Sequence, residues 1–360
     1  MAYSLTSAAT PKLLLAAIVT FATAQGWTIE YDKSTGVGTG VGGQIALSSG
    51  ACHIAIGEET ATQNPINVTG PEDDGRLYMA LADSITPSQW QYWNHPGSNV
   101  TTAADVDRTT INDILGPMTE VHFFGNSTYI LVNVRSSTQR WTSFGFGNLD
   151  KKGMSIGDVA FCISNYQTWF DNTSTGNSFR NASLINGCSY WANNSSAGNG
   201  AIATLRVPNG VLDTSYGFLS GNIYASMIAA RHGILPFSYS SYYPELGTDY
   251  NIATLILDHV SALRNQATTG GVGLSVAPVF YWDQTLDLQT FVGEIPGVRI
   301  CRMSNLSPGQ LITYGTDNYL IFPWKQKGLV ADAGFTPSGF VAGNYNGLPN
   351  SFDMGYAFLK

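Results

Sequence analysis

A chain of 360 residues with 44% hydrophobic and 12% aromatic content has enough apolar surface to offset the entropy of ordering, so wholesale disorder is excluded. Charged residues make up only 12%, about half the usual share, and 17 Lys plus Arg against 25 Asp plus Glu leave a net charge of -8 with no basic run, which excludes tight sequence-independent nucleic-acid binding. Asn, Ser, Thr, Gln and 39 glycines cover the surface instead, a skin that does little to keep copies apart by charge and suits either permanent contacts or a secreted β-protein.

At this length two or three domains are expected. Near the start, Lys12, the apolar run Leu13 to Phe21 and then Ala22-Thr23-Ala24 have the outline of a secretory leader with its small-residue cleavage site. The same residues read as a helix with Ser7 as N-cap, Pro11 in its early part and Gly26 as its stop, placing Leu14, Ala17, Ile18 and Phe21 on one face. A single lysine is a poor basic region, so residues 1–26 are assigned to an N-terminal helix. The run is too short and too broken by Thr to span a bilayer.

Short strands follow at Trp27 to Tyr31, Gln44 to Leu47, His53 to Ile56 and Arg76 to Leu81, the opening of a β-meander. Between Pro87 and Pro96 lies an aromatic loop with Trp90, Tyr92 and Trp93, and Ala104 to Leu115 reads as a short helix. The clearest β segment runs from Glu120 to Leu149. There His122-Phe123-Phe124, Tyr129 to Val134 and Arg140 to Gly147 are separated by turn residues and make a three-stranded meander. Val159 to Ile163 adds a strand, and residues 27–163 form a β-rich domain.

Residues 164–215 are rich in Asn, Ser, Thr and Gly and are assigned to long polar loops. Residues 216–360 form an α+β domain with helical periodicity over Gly221 to His232 and Asp249 to Gln266, the latter carrying Ile252, Leu255, Ile256, His259 and Leu263 on one stripe. Tyr314 to Phe322 repeats the Gly, turn, Tyr, apolar order of the first meander. The expected class is therefore α+β, β-rich: an N-terminal helix, an antiparallel β-meander or sandwich, and a second α+β half with two helices.

Motif look-alikes fail their context. Gly38 to Gly43 spells GxGxxG, but a dinucleotide site needs a helix after the last glycine and a strand follows. Gly153-Met154-Ser155-Ile156-Gly157 spells GxSxG, yet a turn precedes it and a strand succeeds it, the reverse of a nucleophile elbow. His53, His95, His122, His232 and His259 show no paired ligand spacing, and Cys52, Cys162, Cys188 and Cys301 are too scattered for zinc and read as isolated thiols. Glu58-Glu59 and Glu72-Asp73-Asp74 lack the alternating oxygens of a calcium loop. No catalytic residue, metal or cofactor is expected. Trp90, Tyr92, Trp93, Trp169 and Trp191 are candidate interface anchors, and the tryptophans among them would also stack on sugars.

Three stretches carry a family resemblance. Val121-His122-Phe123-Phe124-Gly125, Tyr129-Ile130-Leu131-Val132 and Ser143-Phe144-Gly145-Phe146-Gly147-Asn148-Leu149-Asp150-Lys151 are similar to an HFFG, Y-apolar, FGFG-x-L-D/E-K pattern of tailed-bacteriophage virion structural proteins. The opening Gly26-Trp27-Thr28 with His53 to Gly57, and Val292 to Arg299 with Tyr319 to Pro323, resemble the same class. The resemblance covers under half of the chain, leaves residues 164–290 unmatched, and brings no active site with it. It implies a non-enzymatic virion component of the tail or baseplate, in contact with other virion proteins and copies of itself, without nucleic acid or a membrane span. A capsid decoration or neck protein fits the same resemblance. A secreted carbohydrate-active or carbohydrate-binding protein is the competing expectation, drawn from the leader-like segment, the tryptophans and eight Asn-x-Ser/Thr sequons beginning at Asn67.

Overall fold

The chain starts with an element that the sequence does not advertise, strand β1 (Ala2–Ala8), before helix α1 (Pro11–Ala24). A computed structural model describes residues 1–35, 42–58, 77–89, 91–98, 109–111, 114, 116–136, 141–152, 158–164, 167–169, 179–181, 203–206, 273–283, 288–302, 306–323 and 354–360. After the helix come β2 (Thr28–Lys33), β3 (Gln44–Ser49), β4 (Cys52–Glu58), β5 (Leu77–Ala82) and β6 (Thr109–Ile111). Next are β7 (Met118–Gly125), β8 (Tyr129–Arg135), β9 (Trp141–Asn148), β10 (Asp150–Lys151), β11 (Ala160–Ser164), β12 (Gln167–Trp169), β13 (Phe179–Asn181) and β14 (Ala203–Arg206). The last are β15 (Leu274–Asp283), β16 (Leu288–Arg302), β17 (Gln310–Tyr314), β18 (Asp317–Pro323) and β19 (Met354–Leu359).

Three antiparallel sheets dominate. The outer sheet is the simple meander β2-β3-β4-β5-β6; the central sheet runs β1-β7-β8-β9-β11-β14; the C-terminal sheet runs β10-β16-β19-β18-β17, with β15 also on β16. The fold is thus β-rich and antiparallel, with one helix among the described residues. Both helical segments expected at 221–232 and 249–266 lie outside the described residues. Within the short helix expected over 104–115, the described residues 109–111 form β6 instead, whose β-branched Thr109, Thr110 and Ile111 pair with Met79, Tyr78 and Leu77; 104–108 lie outside the described residues.

Helix α1 is capped by Thr10, not Ser7: the Thr10 hydroxyl accepts from the Leu13 amide at 3.3 Å, and Pro11 takes the first helical position, where no amide is needed. Ser7 is unavailable because it belongs to β1. Gly26 follows with φ +83°, the left-handed residue that ends the helix. Leu14, Leu15, Ile18, Phe21 and Ala22 are buried in the same core as Ile45, Leu47, Ile54, Ile56 and Met79 of the outer sheet and Val121, Phe123, Val132 and Phe146 of the central one. Phe21 stacks on Phe123 at 5.2 Å between ring centroids, a pair worth about 0.5–1.5 kcal/mol beyond its buried area.

The central sheet is buried on both faces. Side chains alternate along a strand, so Phe123 points to the helix and the outer sheet while Phe124 points the other way, onto Phe358 of β19. His122 and Trp141 likewise meet Phe322 of β18, at 4.7 and 4.9 Å between centroids. This explains why β8 reads as a near-continuous apolar run and why nearly every residue of β9 is buried. The FGFG glycines serve the same packing: Gly147 has φ +150°, and a Cβ there would lie 2.5 Å from Tyr129 Cα.

On its far face the outer sheet offers a floor of small residues, Ala46, Ala55, Ala80 and Ala82, over which residues 83–89 and 91–98 fold. Tyr92 fills this space, stacked on Tyr78 at 5.6 Å and edge-on to Trp93 at 4.7 Å. The Tyr31 hydroxyl donates to the Gln91 carbonyl at 3.2 Å and ties the loop down.

Candidate assembly edge

The central and C-terminal sheets form a sandwich whose inner faces are settled by register. On β7, His122 and Phe124 face inward, and their partners on β1 are Leu5 and Tyr3, which therefore face inward too. On β18 and β19, Leu320, Phe322 and Phe358 face inward, and Leu311 of β17 is paired with Leu320. Both β1 and β17 are terminal strands of their sheets. They lie on the same side of the sandwich, because the Lys360 ammonium, beyond β19 and beside Asn318, sits 4.7 Å over the Tyr3 ring of β1.

At this side the sandwich core is left open among the described residues. Leu5 is 53% exposed and Leu311 52% exposed, whereas their respective partners His122 and Leu320 are 4% and 6% exposed. Tyr314, at the far end of β17, is 53% exposed. A single surface leucine means little. Two leucines at the edges of facing sheets, on strands Ala2-Tyr3-Ser4-Leu5-Thr6-Ser7-Ala8 and Gln310-Leu311-Ile312-Thr313-Tyr314 that hold no charged residue and no proline, describe a core that stops before it is covered.

A half-buried polar network pins β1 in place. Glu120 pairs with Arg135, whose guanidinium carbon lies 5.8 Å over the Trp141 ring, and meets Nε2 of His122 at 3.2 Å. Burial alone would raise the Glu120 carboxyl, but the hydrogen bonds and charges of Arg135 and His122 outweigh it and hold the group below its ordinary value. The carboxylate can only accept, so Nε2 carries the proton, and Nδ1 accepts from the Tyr3 hydroxyl at 3.1 Å. Burial lowers the His122 pKa, with Glu120 opposing part of the effect. With both ring nitrogens engaged, His122 works as a clamp between β1 and β7.

The remaining residues singled out in the sequence scatter. Of the candidate anchors, Tyr92 is buried inside the subunit and serves its own fold, and Trp93 beside it stays half-buried. Trp169 is the last residue of β12, while Trp90 and Trp191 lie outside the described residues. Cys52, Cys162 and Cys301 are buried, with burial, then the neighbouring Cys162, pushing the Cys52 thiol upward. The GxSxG stretch, Cys188, His232 and His259 lie outside the described residues. Among those described, no group of three His, Cys, Asp or Glu could hold a metal ion, and no helix is long and apolar enough to cross a membrane. No protein-family model matches the chain, and no curated protein matches it. Sequence reading missed Leu5, Leu311 and Tyr314; the period-2 placement of Tyr3 and Leu5 was the available signal for β1.

Proposed function

We propose that the chain is a non-enzymatic structural subunit of a tailed-phage virion, in the tail or baseplate, and that it acts by fitting against neighbouring subunits. The observation that carries this reading is the open sandwich edge, where two uncharged strands place Leu5 and Leu311 half in water. A solitary protein gains nothing from an unfinished core, whereas a subunit completes it with a neighbour and gains roughly 25 cal/mol for each Å² of apolar surface covered. The charge-poor surface and the HFFG and FGFG resemblance support the same reading. Its partners are other virion proteins and copies of itself.

The test is mass spectrometry of gradient-purified particles produced by the genome that encodes the chain. Peptides from the chain should co-purify with the particles at a fixed ratio to the major structural protein. Their absence from particles, with the chain recovered instead in the soluble fraction, would refute the proposal. Imaging of those particles then separates tail or baseplate from neck and capsid surface.

A further inference from the structure

We infer that β17 is a self-pairing edge, through which two copies of the chain join their C-terminal sheets across a two-fold axis at Ile312. The inference rests on the assembly reading above and names its partner: a second copy.

The geometry starts at the hairpin. Gly315 and Thr316 form a two-residue turn between β17 and β18, and φ +65° at Gly315, the first of the two, is the mark of a type II′ turn. The residues flanking such a turn, Tyr314 and Asp317, exchange both their hydrogen bonds. Ile312 then also bonds inward to β18, while the Gln310 amide turns back to the Ser307 carbonyl at 3.0 Å and Gly309 donates to the Ile321 carbonyl in its place. Leu311 and Thr313 are left with amides and carbonyls turned to the open side.

A second copy running antiparallel with Ile312 opposite Ile312 uses this edge in full. Leu311 then faces Thr313 of the second copy, and Thr313 faces its Leu311, so two pairs form and each exchanges both hydrogen bonds. Registers centred on Leu311 or Thr313 waste half of these groups. On the outer face Ile312 meets its own copy, and Tyr314 lies opposite Gln310 and diagonal to Ile312. On the inner face the second copy covers Leu311 at the sandwich mouth that it shares with Leu5.

Charge and symmetry both admit a copy as the occupant. The whole chain carries -8 and repels itself wherever acidic surfaces meet. Along Leu311–Tyr314 there is no charge to oppose its own image, no proline and no shift of register against β18; the Pro308-Gly309 turn lies just before this stretch. Self-pairing is isologous, so one neutral strand satisfies both partners.

The test is oxidative cross-linking of the full chain bearing Ile312→Cys or Thr313→Cys, scored on a non-reducing gel against the unsubstituted chain. Ile312→Cys sits on the axis in a non-hydrogen-bonded pair, where Cα atoms approach to about 4.5 Å, within reach of a disulfide. Thr313→Cys faces a leucine. Covalent dimer should form several-fold more from Ile312→Cys than from Thr313→Cys; equal yields, or no dimer from Ile312→Cys, would overturn the inference. Sedimentation equilibrium adds a reading without cysteine: the unsubstituted chain should approach twice its 38.6 kDa at high concentration, and Thr313→Lys should weaken that association roughly tenfold. A chain that stays at one subunit mass throughout counts against self-pairing. Presence in or absence from particles is read separately, so either proposal can fail alone.

Discussion

Phe124, in the first half of the chain, and Phe358, two residues before Lys360, stack across the sandwich with ring centroids 5.0 Å apart and planes within 13°. Both are fully buried. The contact fastens the C-terminal sheet to the same strand, β7, whose other face holds the N-terminal helix. Replacing Phe358 by Ala removes one side of this stack and leaves a cavity in a well-packed layer. The expected loss is about 3–5 kcal/mol, measured by urea denaturation. A loss below about 1 kcal/mol would mean that the two sheets do not depend on each other.

The N-terminal segment gives the second prediction. Leu14, Leu15, Ile18, Phe21 and Ala22 lie in the core between the outer and central sheets. Expression from residue 25 onward removes that layer and β1 together, and should give insoluble protein or one lacking a cooperative melt. A soluble, cooperatively folding product would show that the helix is dispensable, as a leader would be.

A third prediction concerns acid. The folded-state pKa values of Glu120 and His122 both lie below their ordinary values of 4.5 and 6.5. For each group the stabilisation is present above the ordinary value and is lost as pH falls through the folded one, because the unfolded chain takes up the proton first. Stability should therefore begin to fall as pH drops past the ordinary histidine range, and fall again below the carboxylate range. His95, also lowered by burial, adds to the first stage. His122→Gln should flatten that stage in urea midpoints taken between about pH 7.5 and about pH 5.5. An unchanged slope would remove His122 from the account.

Much of the β architecture could be read directly. The runs around His53-Ile54-Ala55-Ile56 and Tyr129 to Val134 are β-branched and bounded by turn residues, and they became β4 and β8 with the expected antiparallel neighbours. What could not be read was which strands lie inside. Phe123 and Phe124 look alike in sequence, and only the stacking of three sheets sends one to Phe21 and the other to Phe358. The same limit hid the assembly edge. Leu311 is as apolar as Leu320, and its exposure follows from the place of β17 at the end of a sheet order that joins β16, β18 and β19 from distant parts of the chain. Tyr92 looked like a surface anchor because it sits in an aromatic loop between strands. It is buried because Ala46, Ala55, Ala80 and Ala82 leave room for it.

The central claim is that the edges β1 and β17 are covered in the assembled state. Hydrogen exchange followed by mass spectrometry, on the free chain and on the same chain within purified particles, tests it most directly. The outward amides of Leu311 and Thr313, and those along β1 that do not bond to β7, should exchange freely in solution and become protected by at least about tenfold in particles. Equal exchange in both states, with protection appearing elsewhere on the chain, would contradict the claim.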